Sequence, residues 1–327
     1  MGKSPKVLIT KLASMGDLVH LLPALTDAKK NCPGISFDWI IDKNFHEIAS
    51  WHPSIDKIIQ TNHRQWRKKL SQKSTFKEIH RMIQEVKKTD YDLVIDAHGN
   101  FKTAILSLFA KGPLVGFSGS SIPEWGAHFF YKKKAKVFKK NHAIEKLRSL
   151  FAFALGYEMP NNEPSYEINE NQLIKPNIDL PSSFILVAPI TSHPSKLWTE
   201  SNWKELIEKL TQSNYFIVIP GGNEQELKRA KRLVLNEKVI ALPKLPLGQV
   251  AYIIQKAKAM ISLDTGLSHI AAALGTPNIT LYGPTDPLLT GTKGKNQRHI
   301  KTSNLSSLSS EEVFKEFVLL ESSLKNT

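Results

Sequence analysis

The sequence alternates short apolar runs with amphipathic segments, and this alternation limits the fold more than any other feature. Apolar runs of about four to eight residues predict buried strands, and apolar residues at i, i+3 and i+4 predict helices. The run Lys6–Lys11 is followed by Leu18, Leu21, Leu22 and Leu25 at helical spacing. Because strands that alternate with helices form parallel sheets covered on both faces, the pattern predicts an α/β fold.

The alternation occurs in two series. The first predicts five strands, at 6–11, 36–41, 56–60, 91–96 and 114–117. The second predicts five more, at 184–189, 215–220, 238–242, 259–263 and 278–282. A segment rich in proline and asparagine interrupts them. We therefore expect two facing, doubly wound, Rossmann-like domains with a ligand-binding cleft at the carboxyl ends of their strands. The expected boundaries are a domain at 1–160, a linker at 161–181, a domain at 182–306 and a C-terminal helix at 307–327.

Composition supports a globular chain and excludes several classes of protein. The length of 327 residues fits about two domains. The single cysteine excludes a disulfide framework and a cysteine-based zinc cluster, and it indicates a reducing compartment. No apolar run reaches the roughly 18 residues that span a bilayer, and the run at 7–10 is too short for a signal peptide. We expect a cytoplasmic protein that is able to touch a membrane surface.

Positive charge is concentrated in the first half. Residues 1–160 hold 26 Lys and Arg against 14 Asp and Glu, a net charge of +12, out of +14 for the whole chain. Two segments carry much of it, 63–69 and 132–140, each with aromatic side chains nearby. A basic surface attracts anionic partners, although one such run is often only a solvated face. Nucleic acid, anionic lipid and an acidic substrate all remain open at this point.

Three turns carry candidate catalytic or binding residues, and the first of them connects the first strand to the first helix. It contains Ser14, Gly16 and Asp17, and it has one glycine where a dinucleotide-binding turn has three, which argues against a dehydrogenase. Asp17 is predicted near the start of the helix. Aspartate is a common helix cap. Alternatively, a carboxylate at the predicted cleft serves as a general base for an attacking hydroxyl.

The other two turns belong to the second series. Asp264, Thr265 and Gly266 follow a strand and open a helix, whose first amides form an anion site. Ser268 and His269 are further donors there, and the alternative is a plain capped turn with a structural histidine. In the third turn Thr191 and Ser192 offer hydroxyls, and Lys196 offers a charge suited to a diphosphate.

Three segments that contain acidic residues complete the candidates. Glu226 follows the Gly221-Gly222 turn, where a carboxylate can meet a ribose. Asp90-Tyr91-Asp92 matches the letters of a metal-binding motif but precedes its strand, at the wrong end for the cleft, so we expect no metal site. Asp96 and His98 follow the same strand and are expected to line the cleft.

At these residues the chain resembles the ADP-heptose:lipopolysaccharide heptosyltransferases, and within that family the heptosyltransferase I branch. The resemblance covers almost the whole length. It rests on the stretches Ser14-Met15-Gly16-Asp17, Leu22-Pro23-Ala24-Leu25-Thr26-Asp27-Ala28, Phe37-Asp38-Trp39, Trp66-Arg67-Lys68, Asp264-Thr265-Gly266-Leu267-Ser268-His269, Pro277-Asn278-Ile279-Thr280 and Tyr282-Gly283-Pro284-Thr285-Asp286-Pro287. The family has the GT-B architecture, two facing Rossmann-like domains with a final helix that often packs back on the first.

The resemblance implies an inverting, metal-independent transfer of L-glycero-D-manno-heptose from ADP-heptose to a Kdo hydroxyl of Kdo-lipid A, without a cofactor. Asp17 would be the general base. The donor would be held by Thr191, Ser192, Lys196, Glu226, Asp264, Thr265, Gly266 and His269. The acceptor's anionic groups would meet Arg64, Arg67 and Lys68. The expected location is the cytoplasmic face of the inner membrane, as a peripheral protein on its anionic surface. No oligomer and no nucleic acid are implied.

The sequence departs from the family pattern in two places. Thr191-Ser192 stand where the family often has two threonines, and His98 stands where it has glutamine. Two other classes of function remain to be compared. One is a different enzyme of this fold, either another heptosyltransferase or a nucleotide-sugar epimerase. The other is a nucleic-acid binder, for which only the isoelectric point of about 9.6 speaks.

Overall fold

The computed structural model describes residues 4–69, 71–191 and 196–325. It divides into two compact units, Met1–Glu170 and Asn171–Thr327. The division falls inside the predicted linker at 161–181. Each unit has its own sheet and its own covering helices.

The first unit is built on a parallel sheet in the order β3-β2-β1-β4-β5-β6. Its strands are β1 (Lys6–Thr10), β2 (Ser36–Asp42), β3 (Ile55–Thr61), β4 (Leu93–Asp96), β5 (Leu114–Phe117) and β6 (Lys133–Ala135). Its helices are α1 (Met15–Val19), α2 (Leu22–Asn31), α3 (His46–Ser50), α4 (His63–Lys68), α5 (Lys73–Lys87), α6 (Phe101–Ser107) and α7 (Ala143–Leu155). The order reverses between β1 and β4, and such a reversal places ligands at the carboxyl ends of the strands.

The second unit repeats the same parallel arrangement, in the order β12-β11-β10-β7-β8-β9. Its strands are β7 (Phe184–Ala188), β8 (Phe216–Gly221), β9 (Val239–Lys244), β10 (Ala259–Leu263), β11 (Asn278–Tyr282) and β12 (Gln297–Lys301). Its helices are α8 (Glu200–Gln212), α9 (Glu224–Arg232), α10 (Leu247–Lys256), α11 (Gly266–Ala273), α12 (Pro287–Thr290) and α13 (Ser310–Lys325). The reversal lies between β7 and β10, so both units confirm the predicted doubly wound α/β fold.

The C-terminal helix α13 belongs to the second unit. Val313, Phe317 and Leu320 are buried in one apolar cluster with Trp203 and Leu206 of α8. The sequence had suggested a final helix that packs back on the N-terminal domain. The buried face of α13 contributes to the core of the unit that contains it, and packing on the N-terminal domain stays a prediction.

Two strands that the sequence did not predict carry charged side chains. β6 contains Lys133 and Lys134, and β12 contains Arg298 and Lys301. Both are edge strands of their sheets, and an edge strand does not need a continuous apolar run. Helix α4 lies within the basic segment at 63–69, for which the sequence predicted positive charge but no helix.

Candidate active site

Two turns of the first unit lie side by side at the carboxyl edge of its sheet. β1 ends at Thr10 and β4 ends at Asp96, and these two residues are paired in the parallel ladder. The chain then continues into α1 on one side and α6 on the other. The candidate residues Ser14, Asp17 and His98 are thereby brought to one edge.

The Asp17 carboxylate both stabilises α1 and remains open to other partners. Ser14 is the N-cap of the helix and Asp17 is its third residue. The Asp17 Oδ2 atom accepts hydrogen bonds from the Ser14 amide at 2.9 Å and from the Ser14 hydroxyl at 2.6 Å. Oδ1 accepts no hydrogen bond from any described residue. The helix therefore begins at Met15 rather than at Asp17, and capping by Oδ2 leaves the second oxygen for a substrate.

A buried lysine is one of the groups that lower the pKa of this carboxylate. Lys11 is only 7% exposed, and its Nζ donates to the Ala97 carbonyl at 3.0 Å. Burial raises the pKa of Asp17, but the Lys11 charge and the Ser14 hydrogen bonds outweigh burial and hold it below its ordinary value of 3.8. Asp17 is therefore ionised at neutral pH, as a general base must be. Sequence analysis missed Lys11, although a lysine that directly follows an apolar strand was a signal of a buried charge.

His98 faces the same groups as a neutral ring. Its Nδ1 accepts the Leu12 amide hydrogen at 3.3 Å. Burial, reinforced by the Lys11 charge, lowers the pKa of His98 to about 4. A neutral ring with Nδ1 as acceptor carries its proton on Nε2, which is then a hydrogen-bond donor.

Asp96 does not line a surface, which corrects the prediction that it lines the cleft. It is completely buried. Oδ2 accepts from the Tyr131 hydroxyl at 2.7 Å and the Thr103 hydroxyl at 3.0 Å, and Oδ1 accepts the amides of His98 and Gly99. Burial raises the pKa of Asp96, against the effect of these bonds. Asp96 therefore fixes the shape of the turn that presents His98. Gly16 is likewise buried, within α1.

The three candidate acceptor residues share one face of α4. Arg64, Arg67 and Lys68 are exposed and lie at i, i+3 and i+4 of the helix. The opposite face is anchored by Trp66, whose Nε1 donates to Glu78 at 2.7 Å. The Arg64 guanidinium lies 5.5 Å from the centre of the Phe45 ring. This arrangement holds three positive charges at the surface without burying them.

In the second unit an ion pair joins two of the predicted turns. The Lys196 Nζ lies 2.5 Å from the Asp264 Oδ2. Asp264 immediately precedes Thr265, the N-cap of α11, and the Thr265 side chain makes no capping hydrogen bond. Lys196 is thereby placed next to a helix N-terminus, where both the amides and the macrodipole favour an anion. Gly266 is the first residue of α11.

The remaining donor candidates differ in how well the structure defines them. His269 is 6% exposed. Ser268 is fully buried and its hydroxyl donates to the Thr265 carbonyl at 2.6 Å, so it is not available to a ligand. Thr191 is half-buried, and Ser192 lies outside the described residues.

Glu226 is the third residue of α9, and its Oε2 accepts the Asn223 amide at 2.8 Å. Gly222 packs directly against this carboxylate, since an added Cβ would lie 1.8 Å from Oε2. A larger residue at this position would therefore displace the Glu226 carboxylate. The carboxylate keeps Oε1 for a further partner, as Asp17 keeps Oδ1.

Asp90 and Asp92 lie before β4, at the edge of the sheet opposite to Asp17, as the sequence predicted. Within the described ranges no group of three or more His, Cys, Asp or Glu residues is arranged to hold a metal ion. Nor does any helix of the described residues combine the length and apolarity needed to cross a membrane.

Two doubly wound units in one chain are the domain composition of the GT-B glycosyltransferases, and a carboxylate beside one sheet with an anion site beside the other fits that class. The family model for glycosyltransferase family 9 (heptosyltransferase) matches residues 79–317. This chain therefore belongs to glycosyltransferase family 9.

Similar proteins agree with this assignment. The chain is 41% identical to lipopolysaccharide heptosyltransferase 1 of Salmonella typhimurium, over 94% of this chain and 98% of that protein. It is 40% identical to the protein of the same name from Escherichia coli K12, with the same coverage. The structure of E. coli heptosyltransferase WaaC with ADP superposes with a TM-score of 0.90 at 40% identity, covering 96% of this chain and 98% of that one.

More distant structures share only the fold. E. coli heptosyltransferase II superposes with a TM-score of 0.78 at 20% identity, covering 96% of this chain and 98% of that one. A putative UDP-N-acetylglucosamine 2-epimerase from Listeria monocytogenes reaches a TM-score of 0.55 at 13% identity, over 98% of this chain and 88% of that one. The comparisons therefore favour a heptosyltransferase over an epimerase.

Proposed function

We propose that this protein transfers L-glycero-D-manno-heptose from ADP-heptose to a Kdo hydroxyl of Kdo-lipid A, with inversion at the anomeric carbon. The Asp17 carboxylate supports this most directly, because it is ionised, fixed through one oxygen and open at the other. A hydroxyl that attacks the sugar must lose a proton, and a carboxylate within about 3 Å can take it, which typically accelerates a reaction by about 10²–10⁴.

The second unit binds the donor in this proposal. Negative charge grows on ADP as the glycosidic bond breaks. Lys196, the α11 amides after Thr265, and the hydroxyls of Thr191 and Ser192 stabilise that charge. Glu226 contacts the adenosine ribose, and Asp264, Gly266 and His269 complete the site around the diphosphate and sugar. Because the cation and the helix N-terminus lie together, the reaction needs no bound metal to assist the leaving group.

The first unit binds the acceptor. Arg64, Arg67 and Lys68 meet the carboxylates of Kdo and the phosphates of lipid A. Because this acceptor sits in a bilayer, the protein acts peripherally on the anionic, cytoplasmic face of the inner membrane. Each basic residue near such a surface contributes about 1 kcal/mol, and salt screens this attraction.

The test is a coupled ADP-release assay with ADP-heptose, with and without Kdo-lipid A, in the presence and absence of EDTA. We expect ADP release only when both substrates are present, at a rate that EDTA leaves unchanged. Release of free heptose from ADP-heptose alone would instead support an epimerase or a hydrolase, and loss of activity in EDTA would contradict metal independence.

A triple variant tests the acceptor site. Arg64→Gln, Arg67→Gln and Lys68→Gln together should raise the acceptor KM by about tenfold or more and flatten its dependence on salt, because three surface charges are lost. The matched control is Lys175→Gln, Lys244→Gln and Lys315→Gln, which removes equal charge from exposed positions of the second unit. If both triple variants respond alike, the charges on α4 serve only solubility.

A further inference from the structure

A cluster of exposed aromatic side chains lies on the first unit, away from the groups assigned above. Trp125 is 73% exposed, Phe129 67% and Phe138 80%, and Phe101 and Phe130 are also exposed. These five residues are called the aromatic face below. Large apolar side chains that are exposed together usually mark an interaction site, whereas isolated ones need no explanation.

Ring contacts join four of these side chains in two pairs. Phe101 at the start of α6 meets Phe130 with ring centres 6.2 Å apart, and Trp125 meets Phe129 at 5.9 Å. Glu124 links the two segments, because its carboxylate accepts the Phe101 amide at 3.1 Å and its own amide donates to the Gly99 carbonyl at 3.2 Å. The apolar surface continues along α6 through Ile105 and Leu108, which are 46% and 52% exposed.

The surrounding charge has one sign. The sequence from 101 to 140 holds eight lysines and a single acidic residue, Glu124. Six of the lysines form the lysine run, all exposed, at Lys132, Lys133, Lys134, Lys136, Lys139 and Lys140. In the part of the chain that the structure describes, no member of the lysine run forms a salt bridge. These charges are therefore available to an anionic surface.

Phe138 and three of the lysines follow directly after the end of β6. Val137, which lies in the same segment, is hydrogen-bonded to the neighbouring turn. The Val137 amide donates to the Ser121 hydroxyl at 2.8 Å. Ser121 lies on the connection that leaves the carboxyl end of β5 and leads to Trp125. A shallow pocket of about 350 Å³ separates these segments, lined by Phe117, Ile122, Pro123 and two lysines, Lys139 and Lys146.

The position of the aromatic face relative to Asp17 is fixed by the topology of the parallel sheet. The segments that carry Phe101, Trp125 and Phe138 leave β4, β5 and β6 at their carboxyl ends. Asp17 follows the carboxyl end of β1 in the same sheet. A planar surface that rests against the aromatic face is thus at the edge of the sheet where the candidate base is found.

We propose that the aromatic face and the lysine run form the surface by which this protein docks on an anionic lipid bilayer. Aromatic rings insert at the level of the headgroups, and lysines beside them bind the lipid phosphates. This inference rests on the proposed function in one respect, since it explains how a lipid-anchored acceptor reaches Asp17. The proposed reaction itself does not require these docking residues.

A bilayer fits this surface better than a protein or a nucleic acid. A second copy of the chain would carry the same excess of lysine, and an interface between two such copies would bring like charges together. Nucleic acid would account for the lysines and for aromatic rings on which bases stack, but not for the exposed aliphatic side chains of Ile105 and Leu108.

The experiment measures binding of the full-length protein to sedimenting vesicles that contain no acceptor. The vesicles are phosphatidylcholine alone, or phosphatidylcholine mixed equally with phosphatidylglycerol. We expect salt-sensitive binding to the anionic vesicles and weak binding to the neutral ones. The variant Trp125→Ser/Phe129→Ser/Phe138→Ser should bind the anionic vesicles about tenfold less tightly or worse, because exposed aromatic area no longer enters the interface.

The matched control removes equally exposed apolar side chains elsewhere. Phe76, Leu288 and Leu319 are 59%, 80% and 56% exposed and lie outside the aromatic face. The triple serine variant at these positions should bind as the unaltered protein does. A second variant, Lys136→Gln/Lys139→Gln/Lys140→Gln, should bind the anionic vesicles less tightly, by about fivefold for each lysine removed, with little change in binding to the neutral vesicles. Melting temperatures verify that every variant is folded.

The results separate this inference from the proposed reaction. With a deacylated, soluble acceptor, the aromatic variant should keep the kcat of the unaltered protein, whereas activity on acceptor in vesicles should fall with vesicle binding. Equal vesicle binding by the aromatic and control variants would overturn the docking surface. So would a concentration-dependent dimer that the aromatic variant abolishes, or salt-sensitive binding to single-stranded DNA that depends on the same residues.

Discussion

Each unit places a lysine near an aspartate, but the member of the pair that is more exposed to solvent differs between the two units. In the first unit Lys11 is 7% exposed, and the partly exposed Asp17 presents one free oxygen. In the second unit the Asp264 side chain is 7% exposed and that of Lys196 is 27% exposed. The strand order of the two sheets is the same, so the difference arises in the turns and not in the architecture.

This reversal indicates how one fold provides two opposite chemistries. A buried cation behind a partly exposed carboxylate lowers the pKa of that carboxylate and so favours its ionised form, which can accept a proton. A buried carboxylate behind an exposed lysine holds the positive charge in place, which suits it to bind a phosphate. In each pair we propose that the buried partner sets the electrostatic environment of the exposed one, and that the exposed partner meets the substrate. Removing the exposed partner should therefore cost more than removing the buried one.

The largest effect is expected at the exposed member of the first pair. Asp17→Asn keeps an oxygen that can accept from Ser14 but cannot take a proton, so kcat should fall by about 10² or more with the donor KM kept. Initial rates of ADP release measure this. Glu226→Gln is the control, since Glu226 occupies the same third position of a helix and is assigned to binding only. It should raise the donor KM by up to about tenfold at nearly unchanged kcat. Near-normal turnover by Asp17→Asn would reduce Asp17 to a helix cap.

The exposed member of the second pair comes next. Lys196→Ala should lower kcat/KM for ADP-heptose by about 10², because loss of a preorganised donor to a developing anion commonly costs this much. Since the substitution also leaves Asp264 without its cation, the double variant Lys196→Ala/Asp264→Asn is compared with it. An unchanged donor KM together with an unchanged kcat would show that Lys196 does not contact the phosphates.

The buried member of the first pair is expected to act on pH dependence. The Lys11 charge and the Ser14 hydrogen bonds together hold the pKa of Asp17 below 3.8 against burial, so the acidic limb of kcat set by Asp17 lies below that pH. In Lys11→Met the Ser14 hydrogen bonds alone oppose burial, so the pKa of Asp17 should rise and the limb should move to higher pH. The same shift removes part of the stability that the ionised carboxylate contributes above its unfolded pKa.

Activity and unfolding measured between about pH 3 and 8 test this shift, since this window extends to both sides of the ordinary carboxyl pKa. Lys6→Met is the control, because Lys6 lies at the opposite end of β1 and pairs with Asp38 and Asp56. If the limb of Lys11→Met coincides with that of the unaltered protein, Lys11 does not tune Asp17.

The smallest effect is expected at His98. A neutral ring that accepts from the Leu12 amide and donates from Nε2 has the same hydrogen-bonding pattern as a glutamine side chain. His98→Gln should therefore change kcat/KM by less than about threefold, whereas His98→Leu, which lacks both functions, should lower it by about tenfold. The measurement is kcat/KM of the two variants at pH 7, where the pKa of about 4 keeps His98 neutral. Equal activities of Gln and Leu variants would exclude a donor role.

Much of this protein was determined by the sequence itself. The apolar strands specify two parallel sheets, because a strand that is buried on both faces must be apolar. Examples are the fully buried Phe37, Ile95, Val187 and Ile261, one in each of four strands. The turn motifs around Asp17 and Asp264 were also visible, since local chemistry sets both the cap and the helix start. The resemblance to heptosyltransferases extended this reading to the reaction.

Tertiary structure alone decided the charge state and orientation of the site. Lys11 and His98 are 87 residues apart in sequence, and only the pairing of β1 with β4 brings their turns together around Asp17. The same holds for Lys196 and Asp264, and for the burial of Asp96. Edge strands such as β6 and the packing of α13 were equally hidden, because exposed or amphipathic segments do not reveal which neighbour covers them. The local sequence gives the position of a carboxylate such as Asp17 but not its pKa. The pKa depends on burial and on nearby charges, and both result from contacts between residues that are distant in sequence.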